Sequence, residues 1–514
     1  MQSSVAHDSA QQLSSGTCGS GPGAARSWIW LAVAAVLLLF ANGADTVALA
    51  AWLAPLFLLR FVRGQRLQIG LPAAYLVLVG AFAFQFRGMV PIPGSGYYIF
   101  LALMGISLIP PYAIDRLLVR RLSGLWGTFL FPAAWATTEF VMSKSPYGTW
   151  GSAAYSQYGN LPLLQIVSVT GLWGITFLIG WFAATGNWVW EEGLDSKRVR
   201  QGTWLCAGTI AGVMLLGGVR LVLFPPSSAT VRVASLSKRD IQPELSDAVA
   251  ERMFAGKATS EDMVIFRRWH AAQDEDLLAR AEREMQAGAK IVFWAEANAP
   301  VMKADEAALL ARGADLATQY HAYLGMAVGV WNPGKTRPFE NKLILIQPNG
   351  QIAWEYNKVH PVPGPEAEQQ VLGDRKLRVI NTPYGRLSGI ICFDGDFPQL
   401  LAQAGALGAD IVIDPSNDWR ALDPWHTQMV SFRAIEQGVN LVRQTSRGLS
   451  AAYDYEGRRL AEMDHYYTTD YAMISEVPTR GVRTVYSRLG DWFAWLCVAA
   501  LVGLAILSLR RKEV

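Results

Sequence analysis

The chain has 514 residues, 51% of them hydrophobic and only 17% charged, with 45 basic against 42 acidic side chains and a formal net charge of +3. That length exceeds one ordinary core, and so few charges on so apolar a chain predict that part of its surface faces something other than water. The small positive excess excludes a basic nucleic-acid surface, and the sequence has no zinc-ligand spacing, no Gly-rich phosphate loop and no repeat.

Residues 1–26, rich in Ser, Gly, Ala and Gln, have the composition of a disordered tail. Cys18 lies in it with no apolar run before it, so neither a lipoprotein nor a secretory signal is expected. Apolar segments follow at 27–43, 45–62, 68–86, 96–114, 123–142, 164–187 and 203–224, and an eighth at 490–509. Each is near the roughly 20 residues that cross a bilayer, which predicts an integral membrane α-helical bundle. Basic clusters follow every second helix: Arg60, Arg63 and Arg66; Arg116, Arg120 and Arg121; Lys197, Arg198 and Arg200; Arg510, Arg511 and Lys512. Only the isolated Arg87 and Lys144 fall on the other side. The positive-inside rule then puts both termini in the cytoplasm and the long polar segment between helices seven and eight outside it.

Two features of the helical part stand out. Glu139 falls inside an apolar segment, where an acid is either paired or facing a polar cavity unless it sits at the interface. The turn-rich, aromatic stretch from Ser145 to Gln157 falls on the outer side, as an interfacial aromatic belt or as part of a lipid entry.

From about Val231 the pattern becomes α/β. Val231–Leu236 alternates like a strand, 262–287 is an amphipathic helix, and Ala289–Trp294 is again a strand. Asn349-Gly350 between two apolar runs predicts a hairpin over 343–354. A polar domain over 228–486 is long enough for a core of its own. Three of its strand ends carry chemistry: Glu296 after Phe293-Trp294-Ala295, Lys358 after the hairpin, and Cys392 after Gly389-Ile390-Ile391. Singly these are ordinary, since acids solvate strand ends, lysines end strands and cysteines fill cores. Together they supply a base to take a thiol proton, a cation to stabilise thiolate and oxyanion, and a nucleophile, with the Phe393 N–H as second oxyanion donor. Of the four cysteines, Cys206 and Cys497 fall in predicted membrane helices and Cys18 in the tail. Cys392 therefore has no partner in the external domain, which marks it as a reactive thiol.

The ordered set Trp294-Ala295-Glu296, Asn357-Lys358-Val359-His360 with Glu366 beyond it, and Ile391-Cys392-Phe393-Asp394 resembles the Glu-Lys-Cys triad of the nitrilase superfamily. With helices before and after, the chain resembles the bacterial apolipoprotein N-acyltransferases. Tyr155-Ser156-Gln157, Leu164-Gln165 and Gly171-Leu172-Trp173-Gly174 are similar to that family's membrane part, and Ser416-Asn417-Asp418-Trp419 and Phe432-Arg433-Ala434-Ile435-Glu436 to its region after the cysteine.

The resemblance implies a nitrilase-like αββα sandwich between helices seven and eight, on the periplasmic side of the bacterial inner membrane. It implies a ping-pong acyl transfer from a phospholipid through a thioester to the amine of an apolipoprotein, without cofactor or metal, by a monomer. Glu296, Lys358 and Cys392 carry over as catalytic, and Glu366, Phe393, Asp394 and Trp419 as substrate-binding or supporting.

The chain departs from the family where Phe393-Asp394 stands for Tyr-Glu, Ala295 for a proline, and Ser235–Arg239 for a Gln-Gly-Asn run. Trp331, Trp419 and Trp425, near Gly- or Pro-containing loops, either contact lipid or pack in the core. Two other functions fit parts of the chain. A membrane-tethered amidase, or an acyltransferase to another amine, explains the triad but leaves the helices little to do. A transporter with an appended external domain is disfavoured by the few intramembrane charges and the lack of an evident inverted repeat.

Overall fold

Each predicted apolar segment becomes helical in the computed structural model, which describes residues 22–239, 245–254 and 257–510. The tail carrying Cys18, together with Arg511 and Lys512, lies outside the described residues. The helices are Pro22–Leu39, Ala48–Gly64, Leu67–Gln85, Ser95–Leu108 running on into Pro110–Leu118, Leu130–Met142, Trp173–Glu192, Lys197–Leu223 and Trp492–Arg510.

Among the described residues, four stretches are long and apolar enough to cross a membrane: Leu67–Gln85, Ser95–Arg121, Lys197–Leu223 and Trp492–Arg510. A fifth counts if Leu161–Thr170 and Trp173–Glu192, which meet at 115°, form one span. Ala48–Gly64 and Leu130–Met142 are shorter than the sequence predicts. At about 1.5 Å per residue, the 13 residues of Leu130–Met142 reach only part of the way across a bilayer core about 30 Å thick. The predicted continuous segment 164–187 is broken at Gly171, whose φ is +67° and where a Cβ would come within 2.5 Å of the Tyr486 ring. Only glycine accepts that turn and that contact.

Glu139 is buried and paired. It accepts from Ser152 Oγ (2.7 Å), the Ala153 N–H (2.9 Å) and Thr176 Oγ1 (2.7 Å), joining its own helix to the 152–153 turn and to Trp173–Glu192. The aromatic stretch that follows is a docking surface and not an exposed belt. The N–H and Oγ1 of Thr149 donate to the Asp396 carbonyl at 3.0 and 2.8 Å, Trp150 packs 4.7 Å from Trp425, and Arg433 donates to the Tyr155 hydroxyl at 2.7 Å. The polar domain therefore sits on the helices through the turn next to Cys392.

That domain holds two sheets. The first runs Ala472–Pro478, Thr230–Leu236, Ile291–Trp294, Tyr323–Trp331, Phe339–Ile346 and Ile352–Asn357, with Ala299–Met302 also on Tyr323–Trp331. The second runs Arg459–Asp464, Leu449–Tyr453, Asn440–Ser446, Ile411–Asn417, Gly385–Gly389 and Val379–Thr382. Every residue of Tyr323–Trp331 is buried, as in a strand covered on both faces. The sheets face each other closely: a Cβ on Gly389 would lie 2.5 Å from Leu343, and one on Gly325 would lie 3.1 Å from Ile413. Helices Ser260–Gln286 and Glu306–Tyr320 pack on the first sheet, and Pro398–Leu407 and Trp425–Gln437 lie on the side of the second. The first of these begins at a reciprocal cap in which the Thr259 hydroxyl accepts from the Asp262 N–H (3.1 Å) and the Asp262 carboxylate from the Thr259 N–H (2.8 Å).

Candidate active site

Three interruptions of regular structure bring the predicted residues together. Ile291–Trp294 and Ala299–Met302 pair with the same strand, Tyr323–Trp331, and the four residues between them leave the ladder. Ala297 there has a φ of +49°, a conformation that costs a residue with a Cβ and turns Glu296 off the sheet. The Asn298 amide pins this break, donating to Ser446 Oγ at 2.9 Å. Lys358 directly follows Ile352–Asn357 and is buried, its N–H on the Asn341 carbonyl at 2.9 Å. Cys392 opens a single 3₁₀ turn, Cys392–Asp396, with a φ of +52° and its N–H on Asp414 Oδ1 at 2.8 Å. Strain of this kind persists only where the surroundings enforce it, and it sits at the thiol and beside the acid.

Lys358 Nζ donates to Glu296 Oε1 at 2.8 Å and to Glu366 Oε1 at 2.6 Å. Asn341 Nδ2 donates to the same Glu296 oxygen at 2.7 Å, and Glu366 Oε2 accepts from the Val362 N–H at 3.2 Å. Glu296, Lys358, Glu366, Cys392 and Trp419 line one open pocket of about 1710 Å³, the solvent at its mouth included. Cys392 also borders an adjoining apolar pocket formed with Phe393, Trp419, residues 89–92, Phe100, Tyr147 and Trp150, between the domain and the helices.

Burial, and then the charge of Glu296, hold the Cys392 thiol well above its ordinary value, against the pull of Lys358 and Arg443. The Cys392 thiol at rest is therefore neutral, and ionising it takes a base. Burial alone would lower Lys358, but Glu296 and Glu366 outweigh it and raise the ammonium well above its usual range. Glu366 is raised by burial, with Glu296 adding to that and Lys358 opposing it.

Asp394 joins two of the three interruptions, those at Lys358 and Cys392. Fully buried, it accepts from the Tyr356 hydroxyl (2.7 Å), the His360 N–H (2.8 Å), His360 Nδ1 (3.1 Å), the Val359 N–H (3.2 Å) and the Ile391 N–H (3.3 Å). One carboxylate thus ties the chain after Lys358 to the chain before Cys392. The Phe393 ring meets Phe397 edge-on at 5.3 Å, and Phe397 in turn stacks on His360 at 3.6 Å. Trp419 is half-buried and donates from Nε1 to the Gly88 carbonyl at 2.8 Å, which fastens the pocket rim to the helices. Trp425 is buried against Phe86 and Trp150, while Trp331 is buried against Phe339 and still borders the open pocket.

Several residues at the site escaped the sequence reading: Asn341 on Glu296, and a buried network behind Cys392. Arg443 donates to Asp414 at 2.6 Å and to Asp418 at 3.2 Å; His426 bonds Asp418 through Nδ1 at 2.7 Å and Asp396 through Nε2 at 3.2 Å. Burial and Arg443 push His426 down, but Asp418 and Asp396 outweigh them and hold it raised to about 9. The available signal was a charge inside each of two apolar strands, Asp414 and Arg443, which prove to be register partners. Donor atoms of Cys392, Asp418 and His426 lie within 4.8 Å of one another, a set chemically able to hold a thiophilic metal. Arg443 already supplies positive charge to this cluster through Asp418.

A carbon-nitrogen hydrolase model matches residues 257–483, so the sheets and the pocket form a carbon-nitrogen hydrolase domain of the nitrilase superfamily. A model of the apolipoprotein N-acyltransferase N-terminal domain matches residues 27–185. Among curated relatives, the apolipoprotein N-acyltransferase of Geobacter metallireducens is 28% identical over 438 residues, 80% of this chain and 79% of that one. That of Rhodopseudomonas palustris is 27% identical over 388 residues, 70% and 69% of the two chains. An amidase from Nesterenkonia sp. of known structure aligns with 49% of this chain and 92% of its own, with a TM-score of 0.38 and 16% identity. Taken together, the two domain matches and these relatives show that the chain belongs to the apolipoprotein N-acyltransferase family.

Proposed function

We propose that the protein moves an acyl chain from a phospholipid to the free α-amine of an apolipoprotein's N-terminal diacylglyceryl-cysteine, through a thioester on Cys392. The observation that carries this reading is that one thiol faces two pockets, an open one holding the charged Glu296 and Lys358 and an apolar one reaching the helices. The first suits the chemistry and the second an acyl chain.

Glu296 takes the proton of the neutral Cys392 thiol as sulfur attacks the ester carbonyl. Lys358 and the Phe393 N–H stabilise the oxyanion. On collapse the C–O bond breaks, the departing lysophospholipid oxygen takes the proton from Glu296, and the acyl group stays on sulfur. The α-amine, with a reference pKa near 8 and hence partly neutral at physiological pH, then attacks the thioester. Glu296 accepts its proton and returns it to the leaving thiolate, so an amide forms and the thiol is restored.

Glu366 holds Lys358, Asp394 holds the two chain segments in register, and Phe393 and Trp419 wall the acyl pocket. The domain layout that serves this reaction is a tail to residue 26, helices over 27–224, the nitrilase-like domain over 228–486 and a last helix over 490–509. The protein lies in the bacterial inner membrane with eight spans, both termini cytoplasmic and the catalytic domain outside, and acts as a monomer.

The test is intact-mass measurement of the full chain after mixing with phospholipid, followed by mass spectrometry of lipoprotein N-termini. An acyl adduct on Cys392, lost in Cys392→Ala together with N-acylation, is expected. N-acylation that survives Cys392→Ala refutes the thioester route. An adduct discharged by water but never by the lipoprotein amine favours the amidase reading.

A further inference from the structure

Three helices run from the side of the molecule that bears the catalytic domain to a further pocket at their far ends. Ala48–Gly64 begins where its Ala48 carbonyl takes a bond from Gln157 and ends at Arg60 and Arg63. Ser95–Leu108, which continues as Pro110–Leu118, starts beyond the acyl-pocket residues 89–92 and leads to Arg116 and Arg120. Trp173–Glu192 starts where the Leu172 N–H donates to Glu436 and ends at Glu191 and Glu192. These ends enclose a space of about 1210 Å³, open to solvent, that shares no lining residue with the two pockets at Cys392.

Arg63 is committed to the buried Asp115 by two bonds of 2.7 and 2.8 Å, and Arg60 to Glu191 at 3.4 Å. Arg116 and Arg120 are different. They donate to the carbonyls of Gln65 (3.1 Å) and Arg63 (3.5 Å), at and just past the C-terminal end of a helix, and neither is in an ion pair among the described residues. Against the four guanidinium groups stand Asp115, Glu191 and Glu192, which leaves an excess of one positive charge. One phosphodiester carries one negative charge, and a guanidinium presents a planar fork of donors matched to it. Tryptophan rims the site: Trp30 and Trp188 line it, Trp190 lies edge-on to Trp30 at 4.7 Å, and Arg60 stands 5.4 Å over the Trp190 ring. Indoles concentrate at the headgroup level of a bilayer. An asymmetry of basic residues between the two membrane faces accounts for arginines at this end, but not for their convergence on one concave site.

We propose that this pocket binds the phosphodiester head of a membrane lipid, Arg116 and Arg120 holding the phosphate, as a site separate from the one that supplies acyl chains. The site fits an anionic lipid such as phosphatidylglycerol, whose head adds no cation to the arginines.

The test counts phosphatidylglycerol molecules retained by the full chain in detergent, by native mass spectrometry. The double variant Arg116→Gln/Arg120→Gln is expected to retain one lipid fewer, with at least about a tenfold loss of affinity for that lipid. Arg116→Lys/Arg120→Lys keeps the charge and is expected to keep part of the binding. Arg120 is exposed, so Arg120→Gln alone gives a variant that folds, is expected to bind more weakly at this site, and leaves acylation of Cys392 unchanged. Diacylglycerol, which lacks the phosphate, is expected not to fill the site. An unchanged lipid count in both glutamine variants overturns the proposal, and displacement of the lipid by an equal concentration of inorganic phosphate overturns the assignment to a lipid.

Discussion

Lys358→Met removes the cation on which two carboxylates converge. Its Nζ lies 2.8 Å from one oxygen of the buried Glu296 and 2.6 Å from one of the half-buried Glu366. At an effective dielectric of about 20, a unit-charge pair at such a distance is worth about 6 kcal/mol before desolvation. Removing one partner of a buried pair costs about 3–5 kcal/mol because the other charge is left uncompensated. Here two carboxylates are left to repel each other with no cation between them.

The double variant Lys358→Met/Glu366→Gln removes that repulsion and is expected to recover most of the lost stability. It is not expected to recover activity, because a lost oxyanion donor costs about 10²–10³-fold in rate. Denaturant unfolding of the full chain in detergent reads the stability, and rapid-quench mass spectrometry of the Cys392 adduct reads the rate. Acylation of Cys392 in Lys358→Met within about tenfold of the parent rate would refute Lys358 as the oxyanion partner. A double variant no more stable than the single one would show that the repulsion does not lie between Glu296 and Glu366.

Asp394→Ala leaves the Tyr356 hydroxyl and the Val359, His360 and Ile391 N–H groups without their acceptor, and buried donors cost about 1–3 kcal/mol each. A loss of at least about 4 kcal/mol is expected in denaturant unfolding, together with a loss of thioester formation, while Asp394→Asn, which keeps one acceptor oxygen, loses less. For His426, the folded protein holds the ring proton to about pH 9 against an ordinary 6.5, so its stabilisation is complete below about pH 6.5 and is lost as pH rises through 9. The amount is about 3 kcal/mol, and His426→Gln is expected to flatten that slope in unfolding free energy measured between pH 6 and 10; an unchanged slope would mean that the proton is not held there. Trp419→Phe gives up the bond to the Gly88 carbonyl, worth about 0.5–1.5 kcal/mol, and faster amide exchange over residues 86–92 is the expected readout.

The strand-end pattern singled out Glu296 and Cys392, each after an apolar run that forms a buried strand, and Lys358 after the half-exposed strand Ile352–Asn357, three chemically able side chains at strand ends. Their grouping rests on features with no local signature. The turn of Glu296 off the sheet depends on positive φ at Ala297, and Asp394 is shaped by donors from two distant segments. The network behind the thiol was missed for the same reason: Asp414 and Arg443 are neutralised only once two parallel strands align.

Among the helices, hydropathy and length marked every apolar segment, since periodic burial needs only local sequence. Their ends were decided by tertiary contacts, as where Gly171 yields to the Tyr486 ring and where the aromatic stretch after Ser145 turns under the domain to meet Asp396. Sequence by itself thus determined which residues are chemically able and which segments are apolar. Only the tertiary structure decided which of them touch, because burial, strain and charge compensation belong to pairs of segments far apart in the chain.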